Sequence, residues 1–253
     1  MFNLLDYPFL VFFVSLLTFW VAARIGGTLR KRKKDLGNES HEEFMFVLGG
    51  TLTLLGLIIG FTFSMAVNRY DQRKNYEEQE ANAIGTEYVR TDLLPAADAA
   101  KVRMLLKSYL NQRILYYTTR NMQRRREINA QIARLQTDLW SAVVSPVSTQ
   151  RDPVAALVLG GMNDVLNSQG YTQAAWWNRI PVAAWVLLAL ISIFCNLLLG
   201  YGAHEKSAFL LLILPIALSI SLFLIADIDS PRSGVIHVHP HNLESLAESL
   251  RSQ

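Results

Sequence analysis

The chain has 253 residues, of which 51% are hydrophobic and only 18% are charged, and its formal net charge is +3. This composition is more apolar than that of an ordinary soluble domain, so part of the chain is expected in lipid and a soluble enzyme is disfavoured. Cys195 is the single cysteine, which excludes both an intrachain disulfide and a multi-cysteine metal site.

Four apolar stretches are each long enough to cross a bilayer, because a helix rises about 1.5 Å per residue and the hydrocarbon core is about 30 Å thick. They cover residues 8–25, 44–67, 180–202 and 208–226. Only a short polar turn joins the last two stretches, which favours an antiparallel hairpin. We therefore predict an all-α integral membrane protein with four transmembrane helices in two hairpin pairs.

The segment between the hairpins has a soluble composition and a helical pattern of apolar residues. The pattern recurs at Val102, Leu105, Leu106, Tyr109 and Leu110, at Ile128, Ile132, Leu135 and Leu139, and at Val154, Leu157, Val158, Met162, Val165 and Leu166. It predicts a helical extramembrane domain over 68–179. The membrane hairpins then occupy 1–67 and 180–226, and a polar tail follows at 227–253.

Helix boundaries are expected at prolines and glycines of this middle segment. Pro95, Pro146, Pro153 and Gly170 are predicted breaks, and Pro153 suits a first helical position. The second span, in contrast, has no proline or glycine within 65–84. Its helix is therefore expected to continue beyond the membrane.

Basic residues suggest an orientation in the membrane. Five consecutive Lys and Arg residues occupy 30–34, in the loop between the first two spans. Because short basic loops resist translocation, the loop over 26–43 is expected in the cytoplasm and the helical insert on the opposite side.

Sequence patterns typical of catalysis are missing. The chain has no glycine-rich phosphate loop, no nucleophile elbow and no zinc-protease histidine pair, so we predict no enzymatic activity and no cofactor. Alternation of His237, His239 and His241 would place three imidazoles on one face of an extended segment, but a solvated tail is the more common explanation, and no metal site is predicted.

An acidic run follows the second span. It consists of Glu77, Glu78, Glu80 and Glu87. Such runs are most often solvated helix faces, and we interpret this one in that way rather than as a metal site.

A stripe of small and polar residues runs along the second span. Thr53, Gly56, Gly60, Ser64 and Asn68 recur at steps of three and four, whereas the rest of the span is largely Leu, Ile, Phe and Met. Something other than lipid is therefore expected to contact this stripe.

Two interpretations of the stripe remain open. Gly56 and Gly60 form a small-xxx-small motif typical of close helix packing. Alternatively, several copies of the span surround a pore, with Phe61 or Phe63 as a hydrophobic constriction. No span carries a charged residue at its centre, which argues against a proton-coupled transporter.

Three blocks of sequence resemble one family. They are LLGLIIGFTFSMAVNRYDQRK at 54–74, EEQEANAIGTEYVRTDLLP at 77–95 and ADIDSPRSGVIHV at 226–238. Together they resemble the bestrophin-like domain family of bacterial multi-pass membrane proteins, over nearly the whole chain. A more remote resemblance to bestrophin anion channels rests on Asn68, Arg69 and Tyr70 at the exit of the second span.

The resemblance implies a location in the bacterial inner membrane and a ring of identical subunits. It further implies that the second span lines a central anion pore, which continues between the helical inserts. Thr53, Gly60, Phe61, Ser64 and Asn68 are then the pore candidates, and Gly56 lies on the same stripe.

Polar residues near the membrane exit are expected to form a structural network. Its candidate members are Arg69, Asp71, Glu80, Asn82, Asp227, Asp229 and Arg232. Either Arg69 or Arg232 is expected to pair with an aspartate of this set. Asp227 and Asp229 lie at the exit of the fourth span, where water is expected to reach them. Glu80 and Asn82 are expected to face the interior of the insert.

Two functions follow from these patterns. The first is an oligomeric ion channel, and the second is a non-conducting scaffold or sensor whose helical insert binds a partner. The lipid bilayer and further copies of the chain are the expected partners, and nucleic acid is not. Neither the permeant ion nor a protein partner is identified by the sequence.

Overall fold

A computed structural model describes residues 4–32, 38–149, 153–202, 210–232 and 234–252, and these residues are predominantly helical. The helices are α1 (Pro8–Arg32), α2 (Asn38–Arg90), α3 (Ala96–Thr118), α4 (Met122–Thr149), α5 (Pro153–Trp177), α6 (Val182–Gly202), α7 (Leu210–Asp229) and α8 (His241–Arg251). Short 3-10 helices lie at Leu4–Asp6 and Thr91–Leu93. The predicted all-α class is confirmed.

The chain divides into two compact units. The membrane unit comprises Met1–Tyr70 and Arg179–His237, and the helical unit comprises Asp71–Asn178 and Val238–Gln253. The divisions near residues 70 and 179 lie close to the boundaries expected from the sequence. Residues 238–253 differ from the expectation of a polar tail, because they belong to the helical unit.

Four helical stretches are long and apolar enough to cross a membrane: Pro8–Arg30, Glu42–Leu93, Pro153–Gly202 and Leu211–Asp229. Within the membrane unit, α1 packs along both α6 and α7. Buried apolar side chains join these helices to the first part of α2, among them Phe19, Leu55, Leu188, Cys195 and Ile225. Residues 33–37, which include Lys33 and Lys34 of the basic cluster, and residues 203–209, where the sequence predicts a turn, lie outside the described residues.

Close contact between α1 and α6 depends on two glycines. A methyl group at Gly26 would overlap the carbonyl oxygen of Leu197, and one at Gly200 would overlap the carbonyl oxygen of Ala23. The missing side chains let the two backbones approach, as is common between membrane helices.

The helical unit has its own core. The predicted apolar patterns of α3, α4 and α5 supply buried residues, including Val102, Leu106, Tyr109, Ile132, Leu139, Met162 and Val165. The C-terminal helix α8 joins this core because Leu243, Ala247 and Leu250, spaced by four and three, are buried on one face. Its polar residues lie on the other face.

Two predicted breaks fall inside helices. The prolines Pro95 and Pro153 mark helix starts as expected, but α4 continues through Pro146 and α5 continues through Gly170. Pro146 removes one backbone donor only a few residues before α4 ends, so few hydrogen bonds are affected. A single glycine costs a helix only about 1 kcal/mol, which packing of the flanking residues outweighs.

Candidate functional site

Every pore candidate lies on the exposed face of α2. Thr53, Gly56, Gly60, Phe61, Ser64 and Asn68 are all exposed in the membrane unit, and Phe61 is 70% exposed. The opposite face carries the buried residues Leu55, Thr62 and Ala66. This part of α2 therefore packs against its own unit through one face and leaves the predicted stripe uncovered.

The glycines of this stripe have no close neighbour. A methyl group added at Gly56 or Gly60 would meet no side chain, and no backbone outside its own helix, within 4 Å in the described structure. Close packing within the chain, one of the two interpretations of the motif, is thus not what these glycines provide. Gly26 and Gly200 serve that purpose instead, and sequence analysis did not identify them.

Hydroxyl and amide groups of the stripe are available to partners outside the chain. Thr53 donates its hydroxyl hydrogen to the carbonyl oxygen of Gly49 at 2.9 Å, which leaves oxygen lone pairs exposed. The side chains of Ser64 and Asn68 make no hydrogen bond with any residue that the structure describes. Phe63 is also exposed, but it is two residues from Phe61 and so points to another face of the helix.

The two aspartates near the end of α7, which were expected to be reached by water, are buried. Asp227 accepts hydrogen bonds from the backbone amides of Val235 and Ile236, at 2.8 and 2.7 Å. Asp229 accepts one from the amide of Ile180 at 3.1 Å and pairs with Arg179, whose Nε lies 3.4 Å from Oδ2. Both carboxylates are 1% exposed, since these donors replace water.

The arginine that pairs with Asp229 is not one of the two that the sequence suggested. Arg179, which also pairs with Asp6, is a partner of Asp229 that sequence analysis did not name. Arg69 makes no ion pair or hydrogen bond with any described residue. Half-buried Arg232 lies in the loop after α7, where Gly234 is required because a side chain there would overlap the carboxylate of Asp227.

Glu80 is the centre of a buried cluster in the helical unit. Its carboxylate forms a two-point ion pair with Arg113, whose Nη2 donates to Oε2 at 3.0 Å. Thr172 and Tyr117 donate to the same oxygen at 3.1 and 3.4 Å. The prediction that Glu80 faces the interior is confirmed, whereas Asn82 is exposed and Asp71 lies on the surface.

Charge and burial together set the ionisation of this cluster. Burial opposes the charge of the Arg113 guanidinium, but attraction and hydrogen bonding to Glu80 outweigh it, so the net direction of its pKa is upward. The pKa values of Tyr109 and Tyr117 are both raised. Burial is the larger cause and the negative charge of Glu80 is the second. The two tyrosines therefore stay neutral and the Arg113 guanidinium stays charged.

The interpretation of the acidic run as a solvated face is wrong. Glu78 is exposed, but Glu77, Glu80 and Glu87 are each 2% exposed or less. Glu77 accepts hydrogen bonds from Asn242 and from the backbone amide of Leu243 at the start of α8. These acceptors serve tertiary contacts whose donors lie far away in the sequence, which spacing cannot reveal.

Two histidines of the C-terminal segment lie close together, and Nδ1 of His241 is also 4.0 Å from the carboxylate of Glu244. The rings of His239 and His241 are 5.6 Å apart. Among the described residues, no group of three His, Cys, Asp or Glu side chains is placed to hold a metal ion.

Comparison with known proteins assigns the family. The Bestrophin-like domain model matches residues 9–243. A bacterial bestrophin homolog from Klebsiella pneumoniae superposes with a TM-score of 0.67 at 14% identity, with 96% of each chain covered. Its I180T variant gives 0.65 at 14% identity, covering 96% of this chain and 97% of that one. No curated protein matches. At such low identity the structures show a shared fold, and the family model shows that the chain belongs to the Bestrophin-like domain family.

Proposed function

We propose that this protein is the subunit of a homo-oligomeric ion channel in the bacterial inner membrane, with the exposed stripe of α2 lining the pore. The observation that carries the proposal is the exposure of this stripe. Thr53, Gly60, Ser64 and Asn68 are small or polar, lie at helical spacing and are all uncovered in the membrane unit.

Lipid is a poor neighbour for this face. Hydroxyl and amide groups in hydrocarbon cost free energy unless they find a hydrogen-bond partner, and Ser64 and Asn68 have none among the described residues. Water in a central pore supplies those partners. Several copies of α2 around an axis are needed to enclose such a pore, which is why the proposal includes a homo-oligomer.

The charge distribution favours anions in the pore. The stripe itself is neutral, and Arg69 follows Asn68 directly with no carboxylate partner in the described part of the chain. An unneutralised guanidinium at the end of a neutral stripe makes the local potential positive. By the basic-loop rule, residues 26–43 face the cytoplasm and the helical unit lies on the opposite side.

Native mass and ion flux test the proposal together. The purified full chain should run in detergent as a ring of about four or more subunits, and liposomes containing it should pass chloride. Ser64→Trp should lower the conductance without lowering the melting temperature, since Ser64 is exposed in the membrane unit. Leu17→Trp is the matched control, because Leu17 is 62% exposed on α1 and is not on the stripe.

The outcomes separate the two functions considered from the sequence. A monomer or dimer would remove the pore. A ring that carries no ions under any gradient or pH would instead favour an anchored scaffold, in which the helical unit binds a partner.

A further inference from the structure

Arginines are crowded at the turn that joins α3 to α4. They are Arg120, Arg124, Arg125 and Arg126, and the acidic residue that adjoins them is Glu127. Arg125 is half-buried and the other three arginines are exposed. Cations held so close together repel one another, so this cluster costs free energy unless an anion lies against it.

The start of α4 adds to this cost. Asn121 is the N-cap residue, since its side-chain oxygen accepts hydrogen bonds from the backbone amides of Gln123 and Arg124 at 2.9 and 3.0 Å. The N-terminal end of a helix carries a partial positive charge and therefore favours acidic side chains. The first turn of α4 has none, and three consecutive arginines occupy 124–126 instead. Stability of α4 does not explain these arginines, which indicates a purpose outside the helix.

The fold supplies one carboxylate to the cluster. Arg124 pairs with Glu127 at 2.8 Å, and the two side chains are 59% and 50% exposed, so water screens the pair. Arg120 and Arg126 form no ion pair or hydrogen bond with any residue that the structure describes. Arg125 has no carboxylate partner there either, and its Nε is buried without an acceptor. The cluster thus presents a net positive charge to its surroundings.

Aromatic contacts locate this turn within the helical unit. The rings of Tyr116 and Tyr117, in the last turn of α3, lie 5.6 and 5.1 Å from the ring of Trp176. Trp176 is next to the last residue of α5, and the membrane unit resumes at Arg179. The turn that follows Tyr117 is therefore at the end of the helical unit from which the chain continues into the membrane unit.

Exposed apolar side chains accompany the arginines at this end. Trp177, which follows Trp176, is 74% exposed, and Met122 and Leu115 are 63% and 42% exposed. Tryptophan and the long basic side chains are both favoured in the headgroup region of a bilayer, where an apolar part meets lipid and a polar part meets water. A soluble anion would account for the charges but not for these apolar side chains. The combination favours a lipid surface.

We propose that the arginine turn, defined as Arg120, Arg124, Arg125 and Arg126, binds the phosphate groups of anionic phospholipids in the leaflet that faces the helical unit. The inference needs only the membrane location of the protein and does not depend on the channel function. Each guanidinium offers N–H donors in a planar fork that matches two oxygens of a phosphate. Bound headgroups supply the anions that the cluster lacks within the chain.

Local enrichment of anionic lipid tests this on the full chain. A fluorophore is attached to Gln123→Cys, an exposed position within the turn, and buried Cys195 leaves the introduced thiol as the reactive one. Liposomes contain equal small fractions of phosphatidylglycerol or phosphatidylcholine with a spin label on the acyl chain. Phosphatidylglycerol should quench the fluorophore more strongly. Arg120→Gln/Arg126→Gln should lower its association constant about 25-fold, since one arginine near a lipid surface contributes about fivefold.

A second double variant supplies the matched control. Lys101→Gln/Arg251→Gln removes the same charge from exposed positions of the same unit. Lys101 lies in the first turns of α3, about 25 Å along the helix from its last residue. Quenching at Gln123→Cys should not change in this control. Arg120→Lys/Arg126→Lys keeps the charge and should retain most of the preference for phosphatidylglycerol.

Each other outcome counts against the inference. Equal quenching by the two lipids in the otherwise unchanged chain would overturn the lipid site. A preference that persists in Arg120→Gln/Arg126→Gln would assign the anionic lipid to other residues, and an equal loss in the control would show an effect of net charge alone. If inorganic phosphate at the lipid concentration displaced phosphatidylglycerol, the turn would be a site for a free anion instead.

Discussion

Gly26 of α1 lies directly against the carbonyl oxygen of Leu197 in α6, with no room for a side chain between them. The contact is reciprocal one turn further on, where Gly200 of α6 faces the carbonyl oxygen of Ala23. Two helices that are distant in sequence are thus locked together by the absence of side chains. The membrane unit depends on this contact, because α1 packs along both α6 and α7.

Substitution of Gly26 should therefore separate these helices. Gly26→Ala is expected to lower the free energy of unfolding by about 1–3 kcal/mol, the usual range for forcing an extra methyl group into a packed site. The melting temperature in detergent measures the effect. Gly27→Ala is the control, because its methyl group would lie 3.6 Å from the carbonyl oxygen of Gly200, an ordinary contact. Equal melting temperatures for both variants would contradict the close approach.

The buried ion pair between Glu80 and Arg113 predicts a non-additive pair of substitutions. Glu80→Gln should cost about 3–5 kcal/mol, because it leaves the Arg113 guanidinium buried without its counter-charge. Replacing both residues with methionine should cost less than the single change, since no uncompensated charge remains. Chemical unfolding of the full chain, followed by a double-mutant cycle, measures the coupling.

An exposed pair in the same unit calibrates that result. Arg103 and Asp92 form an ion pair in which the Asp92 side chain is 69% exposed. Asp92→Asn should change the unfolding free energy by less than about 1 kcal/mol, because water screens the pair. A Glu80 variant as mild as this control would mean that the buried pair contributes little.

Helix positions could be predicted from the sequence because they depend on local patterns. The four spans follow from apolar length alone, and α2 continues to Arg90 because no proline interrupts it. Even Gly85 does not end α2, since flanking Ile84 is fully buried and holds the helix in place. The stripe of α2 could likewise be predicted, because its small and polar residues recur at helical spacing.

Burial of the acidic residues could not be predicted in this way. Glu80 is separated from Arg113 by 33 residues, and Glu77 from Asn242 by 165. A charge pattern on one helix indicates a solvated face unless the partner on another helix is known. Arg179 could not be named as the partner of Asp229 for the same reason, because the two residues come together only through the tertiary fold.

The hydrogen bonds that Asp227 accepts should stabilise the loop after α7. Its two carboxylate oxygens accept from the amides of Val235 and Ile236, so Asp227→Asn exchanges one acceptor for a donor that faces another donor. A loss of about 1–3 kcal/mol is expected from one unsatisfied buried amide. Val235→Ala should be neutral, because the Val235 side chain is exposed and its amide remains. Thermal unfolding distinguishes the two, and similar losses would rule out the backbone contact as the cause.

Burial of Glu87 should make the stability of the protein depend on pH, and one substitution should remove that dependence. The carboxyl is fully buried between α2 and Gly161 of α5, and neither oxygen has a hydrogen-bond partner among the described residues. Burial raises the pKa of Glu87 from its ordinary value of 4.5 to about 8, although Arg90 lowers it and Asp164 adds to the rise. The folded protein therefore keeps this proton over a range of pH in which the unfolded chain has lost it.

Stability should fall as pH rises through that range. Between pH 4.5 and about 8 the folded state binds more protons than the unfolded state, so each pH unit removes up to about 1.4 kcal/mol, less where water reaches the site. Glu87→Gln does not ionise, and its melting temperature should match the wild type at pH 4.5 and exceed it at pH 9. Glu78→Gln, at an exposed position, should show no such divergence. If wild type and Glu87→Gln melted in parallel across the whole range, Glu87 would be ionised in the folded protein and paired with Arg90.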